Sequence, residues 1–326
     1  MPNGSQSTPP VARPFGLRIA LYLLVVYFCY IFGTNLLLYL IEGPEKLESL
    51  RESAQPEGEL PVLPLLLGLK TQLILAPVIL AITGLFAASD RRTLKELAVA
   101  WPAKRIIGPV AQVIAVVAAA VAIVGAWRLV AESWVAFTTL PTFPADQVEA
   151  MGRWLPPDAI GLVLFGATFV ALAFVDEIIF RGYIFAVLRD RLPWIHAAGL
   201  SALIFALFHP GRPSVFAPSL LNIFLLGLFL AALREASGSL LLGSLFHGFW
   251  NFVLGCILSL PVSGLEMPRL ESLQVEGPLW ATGGDYGPEG SWLLTGFLLL
   301  AVLGATAWVE SGQDDEGVAE PGEATA

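Results

Sequence analysis

The chain has 326 residues, of which 56% are hydrophobic and 14% are charged, whereas soluble domains are about a quarter charged and under half apolar. Its formal net charge of −9 argues against nucleic acid as a partner. Both cysteines, Cys29 and Cys256, lie in apolar runs, which excludes a disulfide scaffold and a four-cysteine zinc site. The composition therefore predicts an integral membrane protein.

Apolar runs that predict membrane-spanning helices recur along nearly the whole chain. They follow an N-terminus, residues 1–16, that is rich in Pro and Ser and that we expect to be disordered. The runs cover residues 17–41, 61–88, 107–131, 158–188, 195–209, 216–234, 239–260 and 291–309. A helix needs about twenty apolar residues to cross the bilayer core, and only the run at 195–209 is clearly shorter. We therefore predict an all-α polytopic bundle of about eight transmembrane helices with an intramembrane cavity.

These runs also predict how the chain is organised. We expect N-terminal helices over 17–157, a core over 158–260, an extracytoplasmic loop over 261–290, a last helix over 291–309 and an acidic disordered tail over 310–326. With a cytoplasmic N-terminus, the cytoplasmic segments carry ten Lys and Arg residues and the outside loops five. Because Lys and Arg are enriched in cytoplasmic loops, we predict a plasma-membrane protein whose N-terminus is cytoplasmic.

Ionisable and amide side chains interrupt three apolar runs of the core. An ionisable group inside a membrane helix costs about 2.5–3.5 kcal/mol on insertion scales and indicates a functional site by default. The residues at these positions are Asp176, Glu177, Arg181, His209, His247 and Asn251. Glu177 and Arg181 are four residues apart, as are His247 and Asn251, so each pair shares one face of its helix.

The positions of the turns predict that these side chains lie at similar depths. Pro193 marks a turn between two helices, with Glu177 sixteen residues before it and His209 sixteen residues after it. A hairpin at Pro193 puts both residues about 20 Å from the same end at 1.5 Å per residue. The next hairpin turns near Ser237, and His247 lies roughly 14 Å beyond that turn. We therefore predict that a carboxylate, two imidazoles and an amide line one cavity.

Such a group of side chains suits the attack of water on a carbonyl. Burial raises the pKa of a carboxylate towards the range of a general base, and imidazole and amide N–H groups stabilise an oxyanion. The same groups suit a divalent metal such as zinc, with Glu177, His209 and His247 as candidate ligands. For each residue taken alone, a buried ion pair or a hydrogen bond to a neighbouring carbonyl explains its presence equally well.

The order of these residues resembles three motifs of the CPBP family. That family comprises the type II CAAX prenyl endopeptidases and the bacteriocin-processing or bacteriocin-immunity proteins, also called Abi-type. The motifs here are Asp176-Glu177-x-x-x-Arg181, Phe205-x-x-x-His209 and His247-x-x-x-Asn251, and the resemblance covers about residues 158–255. It implies an eight-helix intramembrane protease whose cavity opens towards the cytoplasm.

The resemblance also implies a role for each residue of the first two motifs. The first position is normally a glutamate that acts as general base on the attacking water, and here it is Asp176, which is one methylene shorter. Glu177 corresponds to a supporting acid that is paired with Arg181. His209 corresponds to the histidine of the second motif.

The third motif completes the implied site, because His247 and Asn251 correspond to its oxyanion or ligand pair. We therefore predict an intramembrane endopeptidase that cleaves a membrane-associated protein or peptide, CAAX-like or other. The departure at Asp176 leaves a second interpretation, a proteolytically inactive membrane scaffold or bacteriocin-immunity-type protein of the same fold. A third interpretation, a transporter with a His/Glu proton relay, requires paired inverted halves with broken helices, and the sequence shows no such pairing.

Overall fold

The chain folds into a bundle that consists mainly of helices. The computed structural model describes residues 15–43, 62–99, 107–140, 159–209, 215–258, 260–265 and 272–317. The helices are α1 (Phe15–Glu42), α2 (Val62–Ser89), α3 (Ile107–Ala131), α4 (Ala159–Glu177), α5 (Phe185–Arg189), α6 (Trp194–Leu207), α7 (Ala217–Ser237), α8 (Leu240–Phe252), α9 (Leu279–Thr282) and α10 (Trp292–Gly317). Two π-helical segments continue α4 and α8, at Ile178–Ile184 and Val253–Ile257.

Several of these helices have the length and composition of membrane spans. Among the described residues there are five, which are Phe15–Leu37, Gln72–Ser89, Ala217–Ser237, Leu240–Ile257 and Trp292–Ser311. Shorter apolar helices lie at Ala118–Ala131 and Trp194–Leu207. The chain is an integral membrane protein, whereas the expected number of about eight spans is not confirmed.

The structure differs from the sequence prediction outside the apolar runs. A short antiparallel sheet pairs β1 (Ala136–Leu140) with β2 (Ser272–Glu276), although only helices were predicted. Strand β2 and α9 lie in the segment predicted as a loop over 261–290. Helix α10 continues to Gly317, beyond the predicted end at 309, because polar residues end the burial of a helix without ending its backbone hydrogen bonds. Disorder was predicted for 1–16 and 310–326, and it is wrong for residues 15–16, which lie in α1, and for residues 310–317, which lie in α10. The remaining residues of both segments, 1–14 and 318–326, lie outside the described residues.

Small residues bring α4 and α8 into close antiparallel contact. A Cβ added at Gly248 on α8 would lie 2.6 Å from the Cα of Val170 on α4, and one added at Gly166 on α4 would lie 3.8 Å from the ring of Phe252. Helices in membranes associate through such close packing, because lipid supplies no hydrophobic driving force between them. The third motif on α8 is therefore held directly against the helix that carries the first motif.

The loop after α2 supports the start of α8. The Glu96 carboxylate accepts hydrogen bonds from the backbone N–H and the hydroxyl of Thr93, and these bonds lower the pKa of Glu96. Further along the loop, the carbonyl of Ala98 accepts a hydrogen bond from the N–H of Leu240 at 2.9 Å. Because folding lowers the pKa of Glu96, its stabilising effect is complete above the ordinary glutamate pKa and is lost as the pH falls through the lowered value.

The contact at Gly248 predicts that its replacement by Ala destabilises the fold. The added methyl group meets the backbone of Val170, which has no room to move, so we expect a loss of about 1–3 kcal/mol, typical of an overpacked core. Thermal unfolding of the purified protein in detergent measures this loss. Gly125→Ala on α3 is the control, because a Cβ there meets nothing within 4 Å. Equal unfolding temperatures of the two variants would contradict the close contact.

Candidate active site

A buried ion pair between Glu177 and Arg181 lies at the centre of the site. The Arg181 Nη1 atom donates to Glu177 Oε1 at 3.0 Å, and the two residues are 0% and 1% exposed, respectively. On its other side, Arg181 donates through Nη2 to the carbonyl of Gly227 on α7 at 3.2 Å. Its guanidinium carbon also lies 4.3 Å from the centre of the Phe205 ring on α6. The carboxylate, the carbonyl dipole and the ring face together offset the cost of burying the cation.

The ion pair lies at the start of the first π-helical segment, Ile178–Ile184: Glu177 directly precedes this segment and Arg181 belongs to it. Such segments are rare and often occur at functional sites. The carbonyl of Phe180 in this segment accepts a hydrogen bond from the hydroxyl of Ser201 on α6 at 2.8 Å. A Cβ added at Gly182 would lie 3.3 Å from Leu240, the first residue of α8. The segment therefore connects the first-motif helix to both α6 and α8.

His247 joins the ion pair from α8. Its Nδ1 atom lies 3.3 Å from Glu177 Oε1, and the residue is 6% exposed. One turn earlier on α8, a Cβ added at Gly243 would lie 3.3 Å from the other oxygen, Glu177 Oε2. Because the carboxylate binds at Nδ1, the nitrogen left for a ligand is Nε2, which accepts a hydrogen bond when the ring is neutral and donates one when it is protonated.

The other predicted site residues lie around this cluster. His209 follows the end of α6, and its Nδ1 lies 2.9 Å from the carbonyl oxygen of Phe205. The ring of Phe205 contacts both histidine rings, with centroid distances of 4.9 Å to His209 and 6.0 Å to His247. The half-buried Asp176 is adjacent to Glu177 and interacts electrostatically with the buried arginine. Asn251, also half-buried, lies one turn beyond His247 on α8.

An apolar cavity of about 770 Å³ lies between α2, α4 and α8. Its lining includes Val175 on α4 and Ser244 on α8, which are two residues before Glu177 and three before His247. None of the six residues predicted for the site lines this cavity. This cavity is therefore not the one that the motif residues were predicted to line. The ion pair and His247 lie against α6 and α7, whereas the cavity opens on the α2 side of the same two helices.

The three candidate metal ligands do not form one group. Among the described residues, no set of three or more His, Cys, Asp and Glu side chains has the spacing needed to hold a metal ion. Glu177 and His247 are neighbours, whereas His209 is bonded through Nδ1 to the backbone of its own helix.

Sequence reasoning missed the glycines that make room for the buried charges. A Cβ added at Gly227 would lie 2.9 Å from Ala202 and 3.1 Å from Arg181 Nη2, and one at Gly243 would press on Glu177. Each glycine faces a charged residue that belongs to a different helix. A single sequence carries no signal for such a contact, because it depends on which helices are neighbours.

Comparison with known proteins identifies the segment that carries the site. Residues 158–253 match the family model of the Rce1-like type II CAAX prenyl endopeptidases. Neither the curated proteins nor the solved structures contain a match to the chain. The matched segment runs from the start of α4 to the end of α8 and contains all three motifs together with the buried cluster. The match supports the CPBP family of CAAX proteases for this part of the chain.

Loss of the arginine is expected to destabilise the fold strongly. Arg181→Met leaves the Glu177 carboxylate buried without its cation, and breaking a buried pair in this way costs about 3–5 kcal/mol. The free energy of unfolding in detergent measures this cost. Arg128→Met on α3 is a matched control, because Arg128 pairs with Glu132 at the same spacing but at the surface, where such pairs contribute at most about 1 kcal/mol. Equal losses in the two variants would contradict the buried pairing.

Proposed function

We propose that the protein is an intramembrane endopeptidase that hydrolyses a peptide bond of a membrane-associated protein or peptide, CAAX-like or other. The observation that carries this proposal is the buried contact of 3.3 Å between Glu177 and His247, within the segment that matches a protease family. Ionisable groups are costly inside membrane helices and are retained there mostly for function. We also propose a plasma-membrane location, and the distribution of Lys and Arg supports a cytoplasmic N-terminus.

The contacts of Glu177 favour Asp176 as the general base. One oxygen of Glu177 already accepts from Arg181 and contacts His247, and the other faces the backbone of α8 at Gly243. Glu177 is therefore best suited to orient the imidazole and to neutralise the guanidinium. Asp176 is only half-buried, so water can reach it more easily than the carboxylate of Glu177.

In the proposed reaction, a water oxygen attacks the peptide carbonyl carbon while Asp176 takes one proton from that water. The carbonyl becomes an oxyanion, which accepts hydrogen bonds from protonated Nε2 of His247 and from the amide of Asn251. The negative Glu177 stabilises the imidazolium. Asp176 then passes its proton to the amide nitrogen, the C–N bond breaks, and a carboxylic acid and an amine leave. General-base catalysis contributes about 10²–10⁴-fold, and one oxyanion donor about 10²–10³-fold.

The apolar cavity supports a membrane-associated substrate. It begins within one helical turn of both Glu177 and His247, at Val175 and Ser244. Its volume of about 770 Å³ and its apolar lining suit the hydrocarbon part of a membrane-associated substrate. Such a substrate would approach from the lipid bilayer rather than from water.

A second candidate function is a proteolytically inactive scaffold or bacteriocin-immunity-type protein of the same fold. Two observations favour it. Asp176 is shorter than the glutamate that the family pattern places there. The buried pair and His247 are also packed against α6 and α7 instead of lining the cavity. Both features are compatible with a cluster that is kept for folding alone.

Substitutions at the two acidic positions test the proposed base. An aspartate reaches about 1.5 Å less far than a glutamate, and a misplacement of about 1 Å costs on the order of a hundredfold in rate. We therefore expect Asp176→Glu to raise turnover and Asp176→Asn to abolish it in a quenched-peptide cleavage assay. His247→Ala is the inactive control. If Glu177→Gln is inactive while Asp176→Asn retains substantial activity, Glu177 is the base instead.

The same assay separates the enzyme from the scaffold. A folded wild type that cleaves no member of a broad panel of membrane-bound peptides, together with an equally inactive Asp176→Glu, would favour the scaffold. In that case, the cellular role of the protein should survive His247→Ala. Cleavage by wild type that is lost in His247→Ala would eliminate the scaffold interpretation.

A further inference from the structure

A second buried carboxylate, Glu289, lies in the turn before α10. The residue is 4% exposed. Its Oε1 atom accepts a hydrogen bond from Nε1 of Trp250 at 2.8 Å, and its Oε2 atom accepts from the backbone N–H and the hydroxyl of Ser263 at 2.6 and 2.7 Å. Among the described residues, no Lys, Arg or His forms an ion pair with Glu289. Uncharged donors therefore satisfy this carboxylate, and one of them belongs to α8.

The turn that carries Glu289 is closely packed. Gly283 and Gly287 have φ values of +77° and +84°, and an added Cβ would lie 1.8 Å from the carbonyl oxygen of Gly287 and 2.1 Å from that of Pro261, respectively. Any larger residue at either glycine would therefore clash with the backbone. The turn cannot shift without breaking these contacts, so its carboxylate is held at one place.

Helix α7 also holds this turn. The Asn222 side-chain amide donates to the carbonyls of Glu289 and Ser291, both at 2.8 Å, and accepts from the hydroxyl of Thr295 on α10 at 2.7 Å. Asn222 is itself 1% exposed. The backbone on which Glu289 sits is therefore fixed by buried hydrogen bonds to α7 and, through Asn222, to α10.

Trp250 connects Glu289 to the candidate active site, because it lies three residues after His247 on α8. Beyond the backbone bond at its first residue, Leu240, two side-chain contacts with other described segments hold this helix, His247 Nδ1 to Glu177 and Trp250 Nε1 to Glu289. The hydrophobic effect has no preferred direction, whereas hydrogen bonds depend steeply on distance and angle and add to the close contact of Gly248 with α4. These two contacts are therefore best placed to determine the rotation of α8 about its axis.

We propose that Glu289 is a positioning residue for His247: through Trp250 it sets the rotation of α8 that brings the imidazole to the Glu177 carboxylate. The significance of this role for catalysis rests on the proposed function, whereas the positioning itself does not. The residue lies outside the three motifs and outside the segment that matches the protease family, residues 158–253.

Nitrogen-15 NMR of the histidine rings tests the positioning without any substrate. The chain has only three histidines, so the full-length protein labelled with ¹⁵N-histidine in lipid nanodiscs gives few ring signals, and the loss of one set in His247→Ala assigns His247. We expect Trp250→Phe to abolish the single hydrogen-bonded Nδ1 signal of His247, because the phenyl ring cannot donate to Glu289. Glu289→Gln should displace the same signal, because its amide cannot satisfy both Trp250 and the Ser263 N–H.

Trp127→Phe is the matched control. Trp127 is a buried residue of α3 whose indole donates to the Ser291 hydroxyl of the same turn at 3.1 Å, so its replacement weakens the turn while the atoms of the His247–Glu177 and Trp250–Glu289 contacts stay in place. This variant should lose stability but keep the wild-type His247 signal. An unchanged His247 signal in folded Trp250→Phe would overturn the proposal. If Trp250→Phe does not fold, an unchanged His247 signal in Glu289→Gln would overturn the proposal instead.

The cleavage assay then separates the two proposals. If the protein is an endopeptidase, Trp250→Phe should lower kcat at least tenfold with little change in KM, because the substrate still binds while the imidazole is misplaced. Trp127→Phe should leave both constants unchanged below its unfolding temperature. If wild type cleaves nothing but Trp250→Phe still alters the His247 signal, the proposed function fails and the positioning role stands.

Discussion

The need to neutralise Glu177 and Arg181 within a membrane bundle determines much of the structure of the core. Each charge would be costly alone, and pairing lowers that cost, although the Nε atom of Arg181 is buried without a hydrogen-bond partner among the described residues. Arg181 contacts the carbonyl of Gly227 on α7 and the ring of Phe205 on α6, and Glu177 contacts His247 on α8. Glycine is required where α7 and α8 approach these charges. The ion pair therefore explains which helices are neighbours in this part of the bundle.

Helix α8 lies between two different environments, a buried ion pair and an apolar cavity. One side contacts the buried carboxylate through His247, and the other borders an apolar cavity through Ser244 and its neighbours. In a bundle without a hydrophobic driving force between helices, directional bonds at His247 and Trp250 act together with the close contact at Gly248 to favour a single rotation of α8. The proposed chemistry requires that kind of order, because a reacting group must be held within a fraction of an ångström.

The sequence predicted the features that depend on local spacing. The hairpin turns at Pro193 and Ser237 fall between the expected helices, and the four-residue spacing correctly paired Glu177 with Arg181. Features that depend on distant parts of the chain were not predicted. The β1–β2 pairing and the contact of Trp250 with Glu289 join segments with no common local pattern. The number of spans stays unconfirmed: five described helices have the length and composition of a span, and the apolar helix Trp194–Leu207 is shorter than that length.

The hydrogen bonds of Glu289 have a consequence for the order of assembly during synthesis. A ribosome makes α8 well before Glu289, and Asn222 on α7 meets its partner Thr295 only once α10 has begun to emerge. Until then, the Trp250 indole and the Asn222 amide lack the groups that hold them in the folded protein. A nascent chain can therefore contain all three motifs while α8 still lacks the Trp250–Glu289 hydrogen bond that fixes its orientation. Completion of the site is delayed until the helix that contributes none of the motifs has entered the membrane.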